Sequence, residues 1–243
     1  MNTLAIIQAR MGSRRLPGKV LLDLGGATVL ARVVRRLERS EHISQIVVAT
    51  TGAPADEAVV SECQRLHVPS FRGSEDDVLD RYYQAARSHP AAAIVRVTSD
   101  CPLIDPELVD ETIRVFRDKR ADYASNVFPR TYPRGLDTEV FTFAALDRAW
   151  QGAREPYERE HVTPFLYEHP EIFRLASLSG DVDLSHYRWT LDTPEDLELL
   201  RAIYSRLDNR DDFRWQDVIA LMEREPELVE LNSQVLQKSL REH

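Results

Sequence analysis

Leu4-Ala5-Ile6-Ile7-Gln8-Ala9-Arg10-Met11-Gly12-Ser13-Arg14-Arg15-Leu16-Pro17-Gly18-Lys19 opens as a short apolar run and ends as a cationic loop. An apolar run this short, followed closely by glycine and proline, reads as a buried strand. From Gln8 to Lys19, twelve residues carry three arginines, one lysine, two glycines and one serine. A loop of that make-up at a strand end can hold a triphosphate between cations and free backbone N–H groups. Arginine offers a planar fork to phosphate oxygens, and lysine a mobile point charge. From charge alone, a solvated basic loop is an equally good reading. The loop is not G-x-x-x-x-G-K-[ST], since Val20 follows Lys19, and it is not G-x-G-x-x-G. A P-loop and a Rossmann dinucleotide site are therefore poor fits.

Outward from this loop the pattern alternates. Thr28 can cap a helix in which Leu30, Val33, Val34 and Leu37 recur at helical spacing. Ile46–Ala49 is the next buried strand, Pro54–Leu66 a helix, Val68–Phe71 a short strand, and Val78, Leu79, Tyr82 and Ala86 mark another helix. Ile94–Val97 is a strand leading to a loop that ends at Pro106, with Asp105 as cap of a helix marked by Leu108, Val109, Thr112, Val115 and Phe116. Such alternation predicts an α/β fold, a parallel sheet covered on both faces with ligands beyond the carboxyl ends of its strands.

After Asp122 the pattern loosens. Tyr123–Phe128 and Thr138–Phe143 read as strands around a Pro/Arg/Gly loop, Phe143–Trp150 as a short helix, and 172–178 and 187–191 as alternating segments. Thr193-Pro194-Glu195-Asp196 is a helix start, with threonine as cap and proline at the first position. No linker or repeat divides the chain. The expectation is one domain, 1–243, with a nucleotide-binding half (1–121), an acceptor-binding half with a small inserted lobe (122–206) and C-terminal helices (207–243).

The 243 residues include 31 Lys plus Arg against 40 Asp plus Glu, for a net charge of -9. A chain with that balance has no global basic field, which argues against general nucleic-acid binding. The two cysteines, Cys63 and Cys101, form no CxxC or His/Cys cluster, which disfavours a disulfide scaffold or structural zinc. No apolar stretch is long enough to span a membrane, and the first residues do not read as a signal peptide, so a cytoplasmic location is the default expectation.

Arg10-x-x-Ser13-x-Arg15-x-Pro17-Gly18-Lys19 resembles the N-terminal signature of the cytidylyltransferases that activate acidic sugars, the CMP-ketodeoxyoctulosonate and CMP-sialate synthetases, and above all their spore-coat polysaccharide biosynthesis branch. Two further segments match in order. Asp100-Cys101-Pro102-Leu103-Ile104 resembles the family's D-x-P-L-I setting of a Mg²⁺-binding aspartate, and Asp192-Thr193-Pro194-Glu195-Asp196 its D-T-P-E-D element with a second metal ligand. Helix capping accounts for Thr193, Pro194 and Asp196, but not for Asp192.

The resemblance implies a three-layer nucleotide-diphospho-sugar transferase fold and transfer of CMP from CTP to a sugar hydroxyl. Arg10, Arg15 and Lys19 are then catalytic. Gln8, Ala9, Arg10, Ser13, Arg72 and Thr98 bind nucleotide, with Arg72 reading cytosine, and Asp100 and Asp192 hold Mg²⁺. Thr98 stands where ketodeoxyoctulosonate enzymes carry glutamine. Asp80 and Arg81 occupy the family's D-R pair and are equally an ion pair at a helix start. Arg134, Asp137, Glu139, His161 and Arg188 are the candidates for the acceptor. The implied partners are CTP and an acidic sugar, and the implied assembly is a homodimer. The fold alone also admits a nucleotide-sugar-dependent glycosyltransferase, which pyrophosphate release would separate from a cytidylyltransferase, or a non-catalytic nucleotide-binding module.

Overall fold

The computed structural model describes residues 1–237, so the last part of the expected 207–243 segment, 238–243, lies outside the described residues. The strands are β1 (Thr3–Gln8), β2 (Gln45–Thr51), β3 (Ser70–Gly73), β4 (Ala93–Thr98), β5 (Tyr123–Ser125), β6 (Glu139–Phe141) and β7 (Leu175–Ser177). They form one sheet in the order β3-β2-β1-β4-β6-β5-β7. β1 to β4 run parallel, and β6 alone lies antiparallel to both its neighbours, β4 and β5. The sheet is thus continuous across the point where the sequence pattern loosens.

Alternation along the strands divides the core. Ala5, Ile7, Val48, Val95 and Val97 pack under α1 (Val29–Leu37), α2 (Glu57–Arg65) and α4 (Pro106–Asp118). Leu4, Ile6, Val47, Ile94 and Phe141 face the other way, under α3 (Val78–Ser88), α5 (Phe143–Gly152) and the short α6 (Pro156–His161) and α7 (Pro164–Tyr167). This is the three-layer α/β arrangement that the alternation predicts. A third cluster holds α8 (Pro194–Arg206), α9 (Trp215–Arg224) and α10 (Glu227–Glu230) around the buried Trp189.

The expected caps are in place. Thr28 accepts from the Ala31 amide, Asp105 from Glu107 and Leu108, and Thr193 from Asp196. Two expectations need correction, and two helices are added. The helix from Pro54 divides at Asp56 into a 3-10 turn and α2, because the Asp56 side chain is turned inward to accept three hydrogen bonds. Residues 187–191 form no strand. Arg134 and Arg188 make a single bridge, and the ladder stops at Gly135, whose φ of 103° turns the chain away. α6 and α7 are additional helices, in a stretch to which the sequence pattern assigns no element.

α1 is buried almost all round, Arg32 and Arg36 included. Arg36 is 0% exposed and donates to the carbonyls of Ile104, Asp211 and Phe213 at 2.7, 3.0 and 3.1 Å, with its guanidinium 4.1 Å from the Phe213 ring centre. Burial holds its pKa below the ordinary arginine value. Arg32 likewise donates to Leu24, Gly25 and Asn209 carbonyls and pairs with Asp211. The two side chains fasten residues 209–213 to α1. Replacing Arg36 by Ala strips the partner from three carbonyls and is expected to cost about 3 kcal/mol or more, read as a lower urea midpoint. An unchanged midpoint would refute this role.

Candidate active site

At the carboxyl edge of β1 and β4 the chain encloses a cleft of about 510 Å³. Gln8, Ala9, Arg10, Ser13, Arg15 and Lys19 line it from the first loop, and Thr98 and Asp100 from the end of β4. Arg134, Asp137, His161 and Asp192 complete the wall from the second half. Most of the residues singled out in the sequence therefore meet in one place, although they come from widely separated segments.

The centre of the cleft is a single ammonium group. Lys19 Nζ lies 2.8 Å from Asp100 Oδ2 and 2.8 Å from Asp192 Oδ1, and donates to the Leu191 carbonyl at 2.7 Å. Burial by itself would lower the Lys19 pKa, but the charges and hydrogen bonds of Asp100 and Asp192 raise it overall. For Asp100, burial opposes ionisation, yet Lys19 and the Thr98 hydrogen bond bring its pKa below the ordinary value. Asp192 Oδ2 is 2.9 Å from both Arg15 and Arg188. The Leu191 amide donates to the Asp100 carbonyl at 2.8 Å, which ties the segment bearing Asp192 to the end of β4.

Two hard carboxylates of separate origin thus converge on one point already occupied by positive charge. Among the described residues no group of three or more His, Cys, Asp and Glu side chains is arranged to hold a metal. A donor set of two carboxylates suits a cation that takes its remaining ligands from phosphate oxygens and water, as Mg²⁺ does.

Three sequence candidates do not line the cleft. Arg72 donates to the Thr51 and Ala53 carbonyls at 3.1 and 3.0 Å and pairs with Glu57 at 2.6 Å. Its guanidinium braces the loop after β2. Glu139 is 6% exposed, pairs with Arg96 and accepts from the Tyr123 hydroxyl at 2.7 Å. Arg188 is 8% exposed and is engaged by Asp192, Asp196 and Gln237.

Other residues enter that the sequence reading did not place there. Arg81 is 2% exposed and lines the cleft, donating to the Ser74 carbonyl while its Nε has no partner among the described residues. Arg96 lines it too, also with an unpartnered Nε. A charged residue between Val95 and Val97 inside a buried strand was the available signal for Arg96. Glu160, on α6 beside His161, also faces the cleft.

Comparison with known proteins fits this geometry. The profile of a family described as cytidylyltransferase matches residues 4–223. An uncharacterised protein of Methanocaldococcus jannaschii is 41% identical over 245 aligned residues, covering 100% of this chain and 99% of the relative. The spore coat polysaccharide biosynthesis protein SpsF of Bacillus subtilis is 36% identical, covering 93% and 96%. The structure of a cytidylyltransferase from Leptospira borgpetersenii superimposes with a TM-score of 0.91 at 36% identity, covering 98% of this chain and 99% of that one.

Proposed function

The chain belongs to the cytidylyltransferase family, and from that premise we propose that it transfers CMP from CTP to a hydroxyl group of an acidic sugar, releasing pyrophosphate, in surface polysaccharide biosynthesis. The observation that carries the reading is the meeting of Asp100 and Asp192 at one cationic point beside the arginine-rich loop. The acceptor oxygen attacks the α-phosphorus, the bond to the β-phosphate oxygen breaks, and pyrophosphate leaves. Arg10, Arg15 and Lys19 neutralise the triphosphate and the charge that grows on the leaving group. Asp100 and Asp192 are the side chains that would hold Mg²⁺. When bound, the metal supplies charge neutralisation at the phosphates and acidifies the acceptor hydroxyl. Holding both substrates in line accounts for much of the remaining rate.

Gln8, Ala9, Ser13 and Thr98 form the nucleotide side of the wall, and Arg81 replaces Arg72 as the arginine available to the base. On the acceptor side stand Arg134, Asp137 and His161, and His161 is the candidate to take the hydroxyl proton. Asp137 is already bound by Arg130 at 2.6 and 2.7 Å. Among the described residues, the Arg134 guanidinium makes no ion pair; burial and the neighbouring Arg130 lower its pKa. An unpaired arginine beside the cleft suits an acceptor carboxylate. Arg134→Ala is expected to raise KM for the acceptor about tenfold and leave KM for CTP unchanged. Steady-state kinetics with each substrate varied in turn would refute this if only the CTP value moved.

The reading is tested by pyrophosphate release from four nucleoside triphosphates against a panel of acidic sugars, with and without Mg²⁺. Release from CTP that needs both an acidic sugar and the metal is expected. Release from none of the combinations would overturn it. A chain that consumes CTP in this way works in the cytoplasm. As a homodimer it would have Phe128, Ile172 and Leu175, exposed on the second half, available for contact. Light scattering tests that assembly.

A further inference from the structure

The first loop depends on a side chain from another strand. β1 remains paired to β2 as far as Ala9, whose amide donates to the Ala49 carbonyl at 3.1 Å. Beyond that point the loop folds around Met11. The Met11 carbonyl accepts the amides of Ser13 at 2.9 Å and Gly18 at 3.0 Å, which brings both ends of the loop together next to Lys19. Gly18 permits the return by adopting a φ of 70°. The Met11 amide, the remaining polar group of this hub, donates 2.7 Å to Asp56 Oδ1.

Asp56 is 2% exposed, and its other oxygen accepts the amide of Thr51 at 3.2 Å and the Thr51 hydroxyl. Arg72 holds the same segment from outside through the Thr51 and Ala53 carbonyls. Asp56 does not line the cleft and has no place in the chemistry proposed above. We infer that Asp56 is a positioning residue that fixes the hub of the cationic loop, and through it the places of Arg10, Arg15 and Lys19 around a triphosphate. The inference rests on the reading of that loop as a triphosphate site. A buried acceptor holding one loop amide sets the loop's geometry before the ligand arrives, and pre-set geometry is what tightens binding.

The test uses the full chain and inorganic tripolyphosphate with Mg²⁺, followed by calorimetry, beside steady-state kinetics. Asp56→Ala is expected to weaken tripolyphosphate about tenfold or more and to lower kcat/KM for CTP about a hundredfold, with KM for the acceptor unchanged. Asp56→Asn keeps a carbonyl oxygen for the Met11 amide and is expected to recover most of the binding. Thr51→Val removes the hydroxyl contact to Asp56 without releasing Met11. It is expected to lower the melting temperature yet leave tripolyphosphate affinity within about twofold of the parent, which separates positioning from mere stability. If the parent protein binds no tripolyphosphate, the triphosphate reading itself fails and takes this inference with it. If the parent binds but Asp56→Ala binds equally well, or if Thr51→Val weakens binding as much as Asp56→Ala, only the positioning role is overturned. Should Asp56→Ala not fold, Asp56→Ser, whose hydroxyl is too short to reach the Met11 amide, takes its place beside Thr51→Val: tripolyphosphate affinity within about twofold of the parent in Asp56→Ser overturns the role.

Discussion

Asp100→Asn is expected to lower turnover by about a thousandfold while CTP still binds. The change keeps the shape of the side chain and removes one of two carboxylates that converge on Lys19. Electrostatic help at a transferring phosphate is worth several kcal/mol, and every 1.4 kcal/mol of lost transition-state stabilisation is about tenfold in rate. Binding is expected to survive because Arg10, Arg15 and the loop amides, the proposed contacts of the triphosphate, are untouched. Pyrophosphate release and calorimetric CTP titration on the same preparation measure the two halves of the statement. A variant with full turnover would remove Asp100 from the metal assignment; one that no longer binds CTP would move it into nucleotide recognition.

Lys19→Met is expected to produce a different pair of effects, as follows. Catalysis falls about a hundredfold to a thousandfold, in the range of a lost charge donor at a reacting phosphate. Stability also falls, because Asp100 and Asp192, with side chains 23% and 15% exposed, are left facing each other without the ammonium. Removing one partner of a buried pair costs about 3 kcal/mol, and partial exposure brings the expectation here to about 2 kcal/mol. A divalent cation should then stabilise the variant more than the parent, since the point between the carboxylates no longer holds a competing charge. Melting curves in chelator and in Mg²⁺ check this. A metal-induced increase no larger in the variant than in the parent would show that the ammonium and the metal do not share a position.

The first half of the chain was legible because each strand and its following helix are local. Leu4–Ile7, Ile46–Ala49 and Ile94–Val97 announce themselves as apolar runs, and Thr28 and Asp105 as caps. β6 and β7 are three residues each, and they exist because of partners distant in sequence. Glu139 illustrates the difficulty. In the sequence it is an acid near a Pro/Arg/Gly loop, which suggests ligand contact. Pairing β6 with β4 sets it opposite Arg96, and the two charges satisfy one another inside the sheet. Arg72 and Arg81 differ for the same reason: Arg72 lies within β3 and Arg81 on α3, and only the tertiary packing brings Arg81 and not Arg72 to the cleft. In the sequence Asp56 is one acid among the first residues of a helical segment, and the amide that it holds lies far back in the chain, at Met11.

The insertion of β6 between β4 and β5 also has a bearing on synthesis. β4 is flanked by β1 on one side and by β6 on the other. As the polypeptide leaves the ribosome, β1 to β4 can assemble at once, but the outer edge of β4 stays bare until Phe141 has emerged. An unpaired strand edge invites pairing with other chains, so a nascent chain that ends between residues 98 and 141 exposes an edge of β4 that the complete chain covers.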